Sequence, residues 1–134
     1  MKSYMYVLCT VIVLVLAGLS SEAAAQTQEP VDIELLAEEE ANKYQELLKL
    51  EDWQVFYVDS TLKANFNTLQ FELEKLHKAK VTNTSLFQKV KDDCWDRIDA
   101  DFKKWFTEKQ WAAYLKTGAA KLQKQREKRK AQNK

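Results

Sequence analysis

Residues 52–76 read DWQVFYVDSTLKANFNTLQFELEKL, with neither proline nor glycine among them. Val55, Val58, Leu62, Phe66, Leu69, Leu73 and Leu76 recur at steps of three and four, the spacing that keeps side chains on one face of an α-helix. The stripe is close to a coiled-coil seam. Trp53, Phe56 and Tyr57 widen its apolar face at the start. A stripe of this length predicts a long helix that needs a partner.

The partner follows in sequence. Lys80-Val81-Thr82-Asn83-Thr84-Ser85 combines β-branched and short polar residues, which are poor in helix interiors and good at caps, and so reads as a turn. Beyond it Phe87, Val90, Cys94, Ile98, Phe102 and Trp105 repeat the same spacing, with Trp95 beside them. Two seams around a short turn predict an antiparallel hairpin. On the N-terminal side, Ile33, Leu36, Ala37, Ala41, Tyr44, Leu47 and Leu48 form a further stripe, with Asp32 as its N-cap. Whether a break separates this helix from the next is left open. On the C-terminal side, Thr107-Glu108-Lys109-Gln110 has the form of a capping box, so a helix begins near Glu108 with Trp111, Leu115, Gly118 and Leu122 on one face. Strand-like alternation is missing. The expected class is all-α, as an antiparallel hairpin or a four-helix arrangement, with an elongated dimer as a further option.

The N-terminus has the three zones of a signal peptide: Lys2, an apolar run over residues 5–19, and a small-residue patch ending in Ala23-Ala24-Ala25. Ala23 and Ala25 stand in the A-x-A relation, so cleavage is expected after Ala25. The run is shorter than the ~20 apolar residues a spanning helix needs. The domains expected are a signal peptide (1–25), a polar leader (26–31), a helical domain (32–120) and a basic tail (121–134). Export follows, to the periplasm if the source is Gram-negative. Cleavage removes Cys9 and leaves Cys94 as the one thiol, so no internal disulfide is expected.

The formal net charge of +1 conceals a polarity. Residues 26–115 carry 12 basic and 18 acidic side chains, whereas residues 116–134 carry 8 and 1. Past Leu122 no large apolar residue remains, and the tail is expected to fray into solvent.

Catalytic groups are sparse. His77 is the one histidine; a dyad with Cys94 lacks an orienting third group, and a surface histidine near a helix C-terminus explains it more simply. Asp92, Asp96 and Asp99, at i, i+4 and i+7, could hold a hard cation loosely, but a solvated face is the simpler expectation. Asn83-Thr84-Ser85 has the form of a glycosylation sequon and is set aside. The chain is expected to be no enzyme and to carry no metal or cofactor. Its four tryptophans, all in the predicted mature part, most simply fill the core between the hairpin arms; if two or more lie exposed, they form an adhesive surface for binding.

Phe106-Thr107-Glu108-Lys109-Gln110 resembles the L-T-x-x-Q motif of the Spy and CpxP group of bacterial periplasmic stress proteins, with Phe106 in place of leucine. Leu50-Glu51-Asp52-Trp53-Gln54 is similar to a degenerate first copy, with Glu51 where threonine belongs. In style the chain is also similar to uncharacterised exported helical proteins of Bacteroidetes. The Spy and CpxP resemblance implies small, helical, dimer-forming proteins, some of them ATP-independent chaperones, in which Thr107, Gln110 and Gln54 set helix starts. On that reading, Trp53, Phe56, Tyr57, Trp95, Trp105 and Trp111 would contact unfolded or envelope proteins, and Lys124, Arg126, Lys128, Arg129 and Lys130 would steer acidic clients. The alternative is a non-catalytic envelope scaffold, whose tail binds anionic lipid or glycan. Nucleic acid is a poor match for an exported chain.

Overall fold

The structure, a computed structural model, describes residues 30–134. The expected signal peptide, its cleavage site and residues 26–29 of the leader lie outside the described residues. Residues Val31–Lys134 form one unit, helical throughout its regular structure. We label its helices α1 (Ile33–Leu48), α2 (Asp52–Lys78), α3 (Thr84–Trp105), α4 (Glu108–Tyr114) and α5 (Ala120–Gln132).

Each start has a local chemical cause. The Asp32 carboxylate accepts from the Leu35 N–H at 3.2 Å, and the side-chain carbonyl of Asn83 accepts from the Ser85 N–H at 3.0 Å. Glu51 and Thr107 each open a complete capping box, with Gln54 and Gln110 as the returning side chains. The α1–α2 junction that the sequence left open is a break: Lys49 sits in the left-handed region at φ 56°, and helical geometry resumes only at Asp52. The chain doubles back there, so Lys63 of α2 reaches Glu34 near the start of α1 at 3.6 Å.

The α2–α3 hairpin is the spine. Val58, Leu62, Phe66 and Leu69 of α2 pack in one core with Cys94, Ile98 and Phe102 of α3. Helix α1 covers only the first half of α2. At this end Tyr44, Phe102, Phe106 and Tyr114 form a mutually packed aromatic group, with edge-on contacts of 5.8 Å (Tyr44–Phe102) and 5.5 Å (Tyr44–Tyr114). Burial drives the phenol pKa of Tyr44 upward, helped by the nearby Glu40 and Asp99 charges, so it stays neutral.

Two expectations are corrected at the C-terminus. The fourth helix does not continue through Gly118, whose φ of 108° and ψ of −6° bend the chain between α4 and α5. An L-residue with a Cβ is disfavoured there. Gly118→Ala is expected to cost about 1–2 kcal/mol and to misdirect α5, read as a fall in thermal midpoint of roughly 4–8 °C per kcal/mol. An unchanged midpoint would show that the bend carries no constraint. The second correction is that the tail does not fray: residues 121–132 are helical and docked on α3.

Candidate functional site

Three features have the specificity that a function could use: an ion-pair ladder, a buried amide pair and an exposed aromatic patch.

The ladder joins the two oppositely charged parts of the chain. Arg129 grips Asp92 with both Nε and Nη2, at 2.7 and 2.8 Å. Arg126 donates from Nε to Asp96 at 2.7 Å and from Nη2 to Asp99, while Lys130 donates to Asp96. Asp99 also accepts from the Tyr114 hydroxyl at 2.6 Å and from the Gln123 amide at 3.1 Å. As residue numbers rise along α5 they fall along α3, so the two helices run antiparallel. Asp92, Asp99 and Arg126 are buried. The aspartates therefore do not form a solvated face, because their i, i+4, i+7 row matches a row of cations on α5. Burial pushes the Asp92 carboxyl up, but hydrogen bonds from Arg129 and Gln88 outweigh it and the net direction is down. Asp96 is likewise held low, burial being outweighed by Lys130 and Arg126. Of the five expected steering cations, Arg126, Arg129 and Lys130 are thus engaged within the chain. Lys124 and Lys128 are exposed.

The amide pair joins the two resembling motifs. Gln54 is 2% exposed, and its Nε2 donates to Gln110 Oε1 at 2.7 Å and to the Trp105 carbonyl at 2.9 Å. Gln110 Nε2 donates in return to Gln54 Oε1 at 3.0 Å and to the Lys49 carbonyl at 3.3 Å. Each glutamine oxygen also accepts the N–H of its own cap residue, Glu51 at 2.9 Å and Thr107 at 3.0 Å. Leu50 and Phe106, the first residues of the two motifs, are both buried. Two capping boxes 56 residues apart are thereby locked face to face.

The patch lies on the first two turns of α2. Gln54 and Val58 point into the core, so Trp53, Phe56 and Tyr57 project outward, 49%, 66% and 45% exposed. Their rings touch in series: Trp53–Tyr57 at 6.2 Å, Phe56–Tyr57 at 5.7 Å, and Tyr57 against half-buried Trp105 of α3 at 5.0 Å. The Trp53 indole N–H donates to Glu51 at 2.5 Å, which holds that ring at the rim. The other two members of the expected client-contacting set belong elsewhere. Trp95 packs edge-on against Phe66 at 5.9 Å, and Trp111 lies tilted against Tyr114 at 5.4 Å, both half-buried on the core. Trp95 stands one turn from Ile98 and Trp111 one turn from Tyr114, both core residues, and this is the physical reason the two rings are drawn inward.

Residues weighed for catalysis stay apart. His77 stacks on Phe87 at 4.9 Å near the hairpin tip, whereas the Cys94 thiol lies against the Asn65 carbonyl at 3.6 Å, about 18 Å further back along α2 by helical rise. Cys94 is fully buried, and burial pushes its thiol pKa up to about 11. That leaves it a small hydrophobe with little thiolate character. Among the described residues no cluster of His, Cys, Asp or Glu could hold a metal ion, and no helix is long and apolar enough to cross a membrane.

No protein-family model, no curated protein and no solved structure matches this chain.

Proposed function

We propose that this protein is an exported, non-catalytic binding protein that holds unfolded or envelope proteins on an aromatic helical surface without ATP. The observation that carries the reading is the contiguous exposed patch of Trp53, Phe56 and Tyr57, resting on half-buried Trp105. Scattered exposed apolar residues are ordinary, but touching aromatic rings on one face mark an interaction surface. The exposed area of the patch is roughly 350 Å². At about 25 cal/mol per Å², covering it gains roughly 9 kcal/mol, and association costs about 4 kcal/mol or more. The surplus, at most about 5 kcal/mol, corresponds to weak binding with a Kd of roughly 0.2 mM or above, which releases by dissociation alone.

The paired capping boxes support the likeness to the Spy and CpxP group, since both quoted motifs begin helices and their glutamines meet. The alternative, a scaffold anchored by its basic tail, has fewer cations to work with, because three of the five are engaged by aspartates.

The test is light scattering from an unfolding client at near-stoichiometric protein without ATP. The wild type is expected to suppress scattering. A variant carrying Trp53→Ser, Phe56→Ser and Tyr57→Ser is expected to lose most of that suppression while remaining folded, because exposed surface substitutions usually change stability by only about 0.5 kcal/mol each. Full suppression by the folded variant would overturn the reading.

A further inference from the structure

The patch has a neighbour of one charge. Residues 32–63 carry nine acidic and three basic side chains, and this segment supplies both α1 and the first half of α2. Between these helices runs an open cleft of ≈ 520 Å³, whose lining includes Glu38, Asp52, Val55, Phe56 and Asp59. That volume lies within the range of sites that take a small ligand or a few side chains. Phe56 lines the cleft and also belongs to the aromatic patch, so the two surfaces are continuous.

The charge of the cleft is not cancelled from within. Lys63, its one lining cation, is itself held by Asp59 at 2.9 Å and Glu34 at 3.6 Å. Asp52 accepts only a neutral amide, from Gln45 at 3.2 Å, and Glu38 is exposed. The second oxygen of Asp59, Oδ1, is buried without a hydrogen-bond donor. The basic helix that could have neutralised this end is docked on α3. Neither Lys104, engaged by Asp101 at 3.3 Å, nor Lys49, exposed in the α1–α2 turn, lines the cleft.

We propose that the aromatic patch and the acidic cleft together take polypeptide segments in which lysine or arginine stands beside aromatic or aliphatic residues. The inference rests on the reading of the patch as a client-holding surface and specifies the client's charge. It reverses the sign of the sequence expectation, in which a basic tail attracts acidic segments. The apolar side chains settle on Trp53, Phe56 and Tyr57, while the cation lies over Glu38 and Asp52. Opposite potentials speed the encounter and disfavour acidic segments by like-charge repulsion.

The test uses short, unstructured, fluorescent peptides with identical Phe and Leu content, one carrying lysines and one carrying glutamates, titrated by anisotropy at low and high salt. The lysine peptide is expected to bind about tenfold more tightly at low salt, with the difference shrinking as salt screens it. Glu38→Gln with Asp52→Asn is expected to remove most of the difference, and Phe56→Ser to weaken both peptides. Equal binding of the two peptides would overturn the charge inference and leave the patch reading standing. Binding of neither would overturn both. Concentration-dependent self-association abolished by Phe56→Ser would instead make a second copy of the chain the occupant, and would also overturn the inference.

Discussion

Arg126→Ala is expected to release α5 from the body of the protein. Arg126 is 5% exposed and its guanidinium serves Asp96 and Asp99 together, so its loss leaves Asp99 buried with only the neutral donors of Tyr114 and Gln123. Removing one member of a buried ion pair typically costs about 3–5 kcal/mol, because the remaining charge is stranded. The actual loss is bounded by the ease with which a terminal helix undocks and lets water reach Asp99. The measurement is amide exchange across residues 120–132, expected to lose protection while α2 keeps it. Retained protection in α5 would show that the ladder is decorative. Acidification is expected to act in the same direction. The carboxyls of Asp92 and Asp96 have folded pKa values below their usual values, so the folded state binds fewer protons than the unfolded chain. Their contribution is therefore full above the unfolded pKa of about 4, and is lost as pH falls from there through the depressed folded values. Docking should be intact at pH 7 and fail first in α5 below roughly pH 4.

Gln54→Leu is the second large effect. Leucine is close in size, so the loss is polar and not a cavity. The substitution strips donors from the Trp105 carbonyl and from Gln110, and an acceptor from the Glu51 N–H. Each buried group left unpaired costs about 1–3 kcal/mol, and the expected total is about 3 kcal/mol, less than additive because the pair can relax. Gln110→Leu alone should cost somewhat less, since Gln110 is only partly buried. The double variant is expected to lose less than the sum of the two singles, a coupling measurable in a double-mutant cycle by denaturant unfolding. Strict additivity would show that the two motifs cap their helices independently and that their meeting is incidental.

Both effects concern groups whose chemistry was legible and whose partners were not. The Thr107–Gln110 capping box is a local signal, complete within four residues, and it forms as read. That Gln110 would turn its amide on Gln54 could not be read, because the contact is made across 56 residues and depends on how the starts of α2 and α4 meet. The six aromatic residues divide for a similar reason. Trp53, Phe56 and Tyr57 looked like a widening of the core stripe, yet α1 covers α2 on another side and leaves them in solvent. Trp95 and Trp111 had the same composition signal and were drawn against Phe66 and Tyr114.

By itself the sequence determined the all-α class, the hairpin with its turn, the N-caps at Asp32 and Thr107, and the opposite charges of body and tail. Those features follow from periodicity, propensity and capping, which act over a few residues and leave their mark in order along the chain. The tertiary structure alone decided that the basic tail is a docked helix, that Gly118 turns it back along α3, and that the surface beside the aromatic patch is acidic. A charge count cannot reveal this, because whether two opposite charges neutralise each other depends on distance and burial in space. Here Arg126, Arg129 and Lys130 found their aspartates on α3, whereas among the described residues Glu38 and Asp52 beside the cleft have no cation within salt-bridge distance.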